Sequence, residues 1–323
     1  MSHAQTSDSQ SEDASRAMAV ASWLVFPATL VALLGGGVWA IANDYPPSLV
    51  VGVGTFVSLV LVLVLERALP YKKEWNHSQG DLGADVLYLP CYFGINALIQ
   101  PAVAAGVVVL GAMLAESIGA GLWPSDWPLL AQFLLACVVV EFFDYWPHRW
   151  LHEVPLLWRF HAIHHNPRRL YWLNATRAHF GEVVFRGVFN AVPLALAGAG
   201  AEVLALIGLA NSVLGLFQHA NINFKLGPLS WVFSVGEMHR WHHSLRISEA
   251  NHNYGSNLLI WDVVFGTRYR DTERSGPEQL GIADDNLPSN WLSQLWVPFR
   301  KTPPANSAPA VASADSQDLP KGH

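Results

Sequence analysis

Apolar positions along the chain gather into long runs separated by short polar stretches. The first run, residues 18–42, exceeds the roughly 20 helical residues needed to cross a hydrocarbon layer of about 30 Å, and predicts a membrane-spanning helix. Asn43-Asp44-Tyr45-Pro46-Pro47 reads as a turn, and a second run from Ser48 to about Leu65, stopped by Glu66 and Arg67, completes a hairpin. A third run, residues 86–115, contains Pro90 and Pro101, each able to bend a helix by removing a backbone donor. After a Gly, Trp and Pro-rich connection at 119–128, a fourth predicted span covers residues 127–146. Two further stretches, 183–198 and 202–217, meet at Gly198-Ala199-Gly200. With Arg186 counted they fall short of full spans, so they predict a re-entrant helical hairpin returning at His219. Residues 227–270 alternate short helical segments with Trp231, Phe233, Trp261 and Phe265, residue types favoured at a membrane interface, and predict a cap.

The expected fold is therefore all-α: a multi-pass membrane helical bundle of about four spanning helices plus the re-entrant hairpin. Residues 1–16 are polar and aperiodic, which predicts a disordered tail. Residues 17–126 form the transmembrane part, 127–270 a histidine-rich domain, and 271–323 an extension whose Pro, Ala and Ser content predicts disorder after about 301. Composition agrees, since only 14% of residues are charged and mean hydropathy is +0.24, values that exclude an ordinary soluble domain. A net charge of -6 gives no reason to expect a nucleic-acid partner. Basic residues Arg67, Lys72, Lys73, Arg149, Arg159, Arg168, Arg169 and Arg177 share one side of the predicted topology, while the opposite loops lack them. By the positive-inside rule that side, with its histidines, is cytoplasmic. In this setting Arg168, Arg169 and Arg177 are expected to be headgroup contacts or solvated charges. Cys91 and Cys137 both lie in apolar runs, which leaves no cysteine cluster to carry electrons. An electron carrier must come from outside the chain.

Ten of the 14 histidines lie between His148 and His243, eight of them in the clusters HRWLH, HAIHH and HRWHH. On a helix, positions i and i+4, or i, i+3 and i+4, share a face. His148 with His152 has the first spacing; His161, His164 and His165, and again His239, His242 and His243, have the second. Each cluster is thus expected to aim two or three imidazoles at one point. Neutral imidazole suits borderline metals, and ionisable side chains beside a bilayer are costly without a function. His3, His77 and His323 need no such role. A catalytic zinc takes about three protein ligands, too few to use this set, and His152-Glu153 lacks the second histidine of HExxH. Two metal ions sharing the imidazoles fit the count. Asp144, four residues before His148, is placed to orient an imidazole through its free N–H, with Glu237 and Asp262 as lesser candidates.

The three clusters followed by NHNYGSNLLIWDVVFGTRY resemble the fatty acid hydroxylase and sterol desaturase superfamily of integral-membrane di-iron enzymes, over roughly residues 133–269. The short interval between the first two clusters favours this branch over membrane acyl-lipid desaturases. The resemblance implies further ligands at His219, in QHAN, and at His179, in RAHFGE, where Phe180 replaces the usual proline. Glu182 and Asn253, within the same motifs, join Asp144 as candidates to support the ligands, and His252 is expected to be structural. The implied chemistry uses two ferrous ions and O₂ to hydroxylate an unactivated C–H bond of a lipid drawn from the bilayer. Electrons would come from a ferredoxin-like or cytochrome-type donor. Desaturation on the same site is the alternative reaction, and a non-enzymatic membrane metal-binding protein the alternative class.

Overall fold

The computed structural model describes residues 2–118, 122–283, 287–301 and 304. Helix α1 (Ser2–Leu30) runs through a π-helical turn, Val31–Gly35, into α2 (Gly36–Ala42), and α3 (Pro47–Ala68) returns alongside. The helix continues back through residues 2–16, the stretch with no apolar periodicity, because lengthening an existing helix needs no new nucleus. Next come α4 (Leu82–Ile118), α5 (Leu129–Glu153), α6 (Pro155–His165), α7 (Phe180–Ala197) and α8 (Ala201–His219). Short helices follow: α9 (His239–His242), α10 (Ile247–Ala250), α11 (Ile260–Phe265) and α12 (Trp291–Leu295). The disorder expected after about 301 falls almost wholly outside the described residues.

The molecule is an all-α membrane bundle. Among the described residues five helical segments are long and apolar enough to cross a membrane: Ser15–Ala42, Pro47–Ala68, Leu129–Glu153, Phe180–Ala197 and Ala201–His219. The last two stand where the re-entrant hairpin was expected, but they are long enough to cross because α7 takes in Arg186 and α8 continues to His219. The hairpin turns at Gly198, whose φ of 89° suits glycine. Helix α4 continues past both Pro90 and Pro101, and its described apolar part is Leu82–Leu98.

Helix α8 is the buried axis of the bundle, with Val203, Leu206, Leu209, Val213 and Phe217 all in the core. In lipid, helices associate through close packing rather than through exclusion of water. Gly37 and Gly54 show why the first hairpin seats here: an added Cβ would lie 2.5 and 2.4 Å from the methyl groups of Leu209. The opposite face of α3 leaves Val53, Phe56, Val60 and Val64 exposed, as a lipid-facing surface requires.

Candidate metal centre

The polar end of the bundle begins where α5 stops. Pro155 cannot supply the N–H that would continue α5 and is well placed at the first turn of α6. The chain therefore reverses over two residues and folds HAIHH back against HRWLH, bringing Nε2 of His161 within 3.1 Å of Nε2 of both His148 and His152.

Nine of the ten expected ligands converge in two buried groups. His148, His152, His161, His165 and His242 form one; His164, His219, His239 and His243 form the other. The expectation that each cluster aims at a single point needs correction. In HAIHH the i and i+4 imidazoles, His161 and His165, join the first group while His164 joins the second. In HRWHH the assignment is reversed, with His239 and His243 in the second group and His242 in the first. Residues at i and i+4 lie 40° apart around a helix, whereas i+3 leans 60° to the other side of i. Each HxxHH box thus braces both groups, and rings from the two meet where His165 stacks on His243 at 4.2 Å.

Metal binding can be tested on the ring nitrogens themselves. Nδ1–H of His148 donates to the Tyr254 carbonyl, and Nδ1–H of His242 to the His252 carbonyl at 2.8 Å. A neutral ring with Nδ1 protonated presents a bare lone pair at Nε2, yet these two Nε2 atoms are 3.1 Å apart. In the second group His164 donates to the Arg177 carbonyl and His219 to that of Gly215, and their Nε2 atoms lie 3.2 Å apart. Facing lone pairs repel unless a cation lies between them. Ligands about 2.1 Å from a shared ion have neighbouring nitrogens roughly 3.0–3.4 Å apart, so both groups fit a metal. Burial holds His161, His164, His165, His239, His242 and His243 well below the usual imidazole pKa, helped by neighbouring imidazoles and cations. They remain neutral, the form that coordinates.

His179 is the expected ligand that the structure places elsewhere. It precedes α7, where Nδ1 accepts from the Gly181 N–H and Nε2 lies 3.2 Å from the Leu295 carbonyl. It serves as a helix cap. Asp144 also departs from expectation: its carboxylate is taken up by Arg186, Asn190 and Ser256 and orients no imidazole. Asn253 likewise meets no ligand, its amide tying Met238 and Tyr269 together around a residue with φ of 53°. Glu182 does reach the site, with Oε1 2.9 Å from Nδ1 of His161, though no regular hydrogen bond forms. His252 contributes through its backbone, as the acceptor for His242. Glu237 pairs with Arg270 instead of a ligand.

Asp262, a lesser candidate to orient an imidazole, instead accepts the N–H groups of Tyr254 and Gly255. The structure adds supports that sequence reasoning missed: Glu141 accepts the N–H groups of Ser256 and Asn257. Together Asp262 and Glu141 fix the NHNYGSN loop so that its carbonyls at 252 and 254 face His242 and His148. Arg169 and Arg177 are buried rather than solvated: Arg169 pairs with Asp81, and Arg177 with Asp85. Asp85 also accepts from Tyr171, anchoring the loop that carries the Arg177 carbonyl to His164. The available signal was a charge inside an apolar run, as at Asp85, Glu141 and Arg186, which is costly unless partnered. Arg168 stays exposed.

Apolar helices long enough to span a membrane, with two buried imidazole groups at one end that could each hold a metal ion, define the class. Comparison with known proteins makes the class specific. A fatty acid hydroxylase family model matches residues 133–267, which contain every converging histidine. An ornithine lipid hydroxylase of Rhizobium tropici is 35% identical over 293 residues, covering 90% of this chain and 87% of the relative. Alkylglycerol monooxygenase of Xenopus tropicalis is 32% identical over 152 residues, 47% of this chain and 33% of the relative. Methylsterol monooxygenase 2-2 of Arabidopsis thaliana is 29% identical over 146 residues, 45% of this chain and 54% of the relative. No solved structure matches. The chain belongs to the fatty acid hydroxylase family and is an oxidoreductase of the membrane.

Proposed function

We propose that the protein is an O₂-dependent hydroxylase of a membrane lipid, holding one iron ion in each histidine group. The observation that carries this reading is the pairing of Nε2 lone pairs in two adjacent buried groups. The family and its monooxygenase relatives support iron and O₂ as the chemistry for these cages. A pair of iron ions supplies the activation of O₂ needed to attack an unactivated C–H bond. Overall, lipid C–H, O₂, two electrons and two protons give lipid C–OH and water.

The chain's own residues hold and shelter the site. Glu182 and the carbonyls of Arg177, Gly215, His252 and Tyr254 fix ring orientation, and such partners also raise ligand basicity. Trp158, itself buried, lies 5.5 Å from the ring of His152 and 5.6 Å from that of His165, shielding the five-histidine group from water. Electrons come from an external ferredoxin-like or cytochrome-type donor. The basic residues flanking the site support a cytoplasmic position for it. The test is iron content of the purified protein together with mass spectrometry of lipids from cells with and without it. Near-stoichiometric iron in both groups and a lipid gaining one oxygen are expected. Loss of two hydrogens would show desaturation, and zinc with no oxygen consumption would show a metal-binding protein.

A further inference from the structure

Two compartments of opposite character meet beside the histidines. The first is a chamber of about 240 Å³ reached by His148, His164, His219 and His239. Its other walls are mixed: Asp144, Glu182, Arg186, Asn190, Asn211 and Gln218 supply polar groups, and Ala175, Ala178 and Val183 apolar ones. The second is an almost wholly apolar groove between Ile95 and Leu98 of α4, Phe180 and Val184 of α7, and Trp291 and Leu295 of α12. Ala178 lines both.

Resting on the hydroxylase reading, we propose that the lipid enters head first, its polar head in the chamber at the metal groups and one acyl chain in the groove. Oxygen is then added to the head or to the carbons next to it, not far along the chain. Two observations support this orientation. The chamber is smaller than the roughly 300 Å³ at which pockets begin to hold a whole drug-sized ligand, so it takes only part of a lipid. A hydrocarbon chain lying there would also strip polar walls of hydrogen-bond partners, which is unfavourable for each. The groove offers the complementary environment, and its exposed side, at Leu98, Phe180 and Val184, opens to where the bilayer would lie.

The groove's outer wall comes from α12, beyond the matched residues 133–267. The C-terminal extension is thereby assigned a part in selecting the acyl chain.

Tandem mass spectrometry of the product formed by the full-length enzyme in membranes should place the added oxygen on the head-group fragment. Oxygen on the acyl fragment would overturn head-first entry and leave the hydroxylase standing. No added oxygen in any lipid would overturn both. A second arm uses Val184→Trp, which fills the groove, a space that none of the nine converging histidines lines. Turnover of a long-chain lipid should fall about tenfold, the worth of losing two buried methylenes, with bound iron unchanged. A short-chain lipid with the same head should be spared. Equal losses on both lipids at full iron occupancy would remove the groove from the proposal. If Val184→Trp loses iron, Trp291→Ala replaces it and should instead relax chain-length selectivity.

Discussion

The two histidine groups share the boxes HAIHH and HRWHH, but HRWLH serves only the larger group and His219, outside the boxes, only the smaller. The five-membered group is gripped from outside. His148 and His242 donate to loop carbonyls, His152 lies 3.3 Å from the Asn251 side chain, and His161 rests against Glu182. In the four-membered group, His164 and His219 have carbonyl partners, while Nδ1 of both His239 and His243 is buried without one. Three of its four rings reach the polar chamber, against His148 alone from the larger group. One site is thus crowded and anchored, the other sparser and facing the substrate space. A metal with fewer ligands keeps positions free for exogenous groups, so the smaller group is the one expected to meet O₂ and substrate.

Removing a ligand from each group tests the asymmetry with the largest effect. His219→Ala should abolish product formation and release one of two iron ions, since only three imidazoles remain. His165→Ala leaves four in its group and should retain both ions, with reduced turnover. Metal analysis beside product assay reads the difference. Equal iron loss in the two variants would contradict it.

Legibility from sequence follows the same division. The helical spacing in HRWLH, HAIHH and HRWHH was enough to identify eight of the nine converging ligands, because helix geometry converts spacing into direction; His219 came only from the resemblance. The splitting of each box between two groups was not legible, since it depends on how α6 and α9 approach each other from distant parts of the chain. His179 shows a limit of motif matching: a histidine beginning a helix caps it equally well. Asp144 has helical spacing to His148, but a buried guanidinium on α7, Arg186, outcompetes a neutral ring for a carboxylate. The carbonyls at 252 and 254 carry no side-chain signature at all. The spans at the first, second and fourth runs were legible from apolar run lengths, whereas the third run, 86–115, is not among the five found in the described residues, and the true extent of α7 and α8 was not legible.

Asp85 supports the four-membered group from a distance, and its loss should act on stability. Asp85 and Arg177 are both buried, and removing one partner of such a pair leaves an unpaired charge costing about 3–5 kcal/mol. Asp85→Ala should lower the unfolding temperature and weaken iron in the smaller group, through the Arg177 carbonyl on His164. Thermal unfolding with and without iron checks this. A change within error of wild type would show that the pair holds nothing together.

Glu182→Gln probes the anchored group more gently. The amide keeps the size and an acceptor for His161 but loses the negative charge. Changes to partners of metal-bound histidines typically cost about 10–100-fold in metal affinity or activity. Iron in the five-membered group should become that much easier to remove by a chelator, while the smaller group keeps its affinity. Chelator titration with metal readout separates the two.

Acid should affect the metal-free protein gradually rather than at a single residue. His161, His164, His165, His239, His242 and His243 have pKa values pushed below the ordinary 6.5 by burial. Above that value they are neutral whether folded or unfolded, so they contribute no pH dependence. As pH falls below about 6.5 the unfolded chain takes up protons that the native cages refuse, and stability declines. The loss should begin between pH 6 and 7, an interval of about one unit around the imidazole value, and steepen toward pH 5. Bound iron should delay it, because protons must then displace the metal. Denaturation of apo and iron-loaded protein across this range would separate their curves. Coincident curves would mean that the imidazoles are not held neutral for a metal.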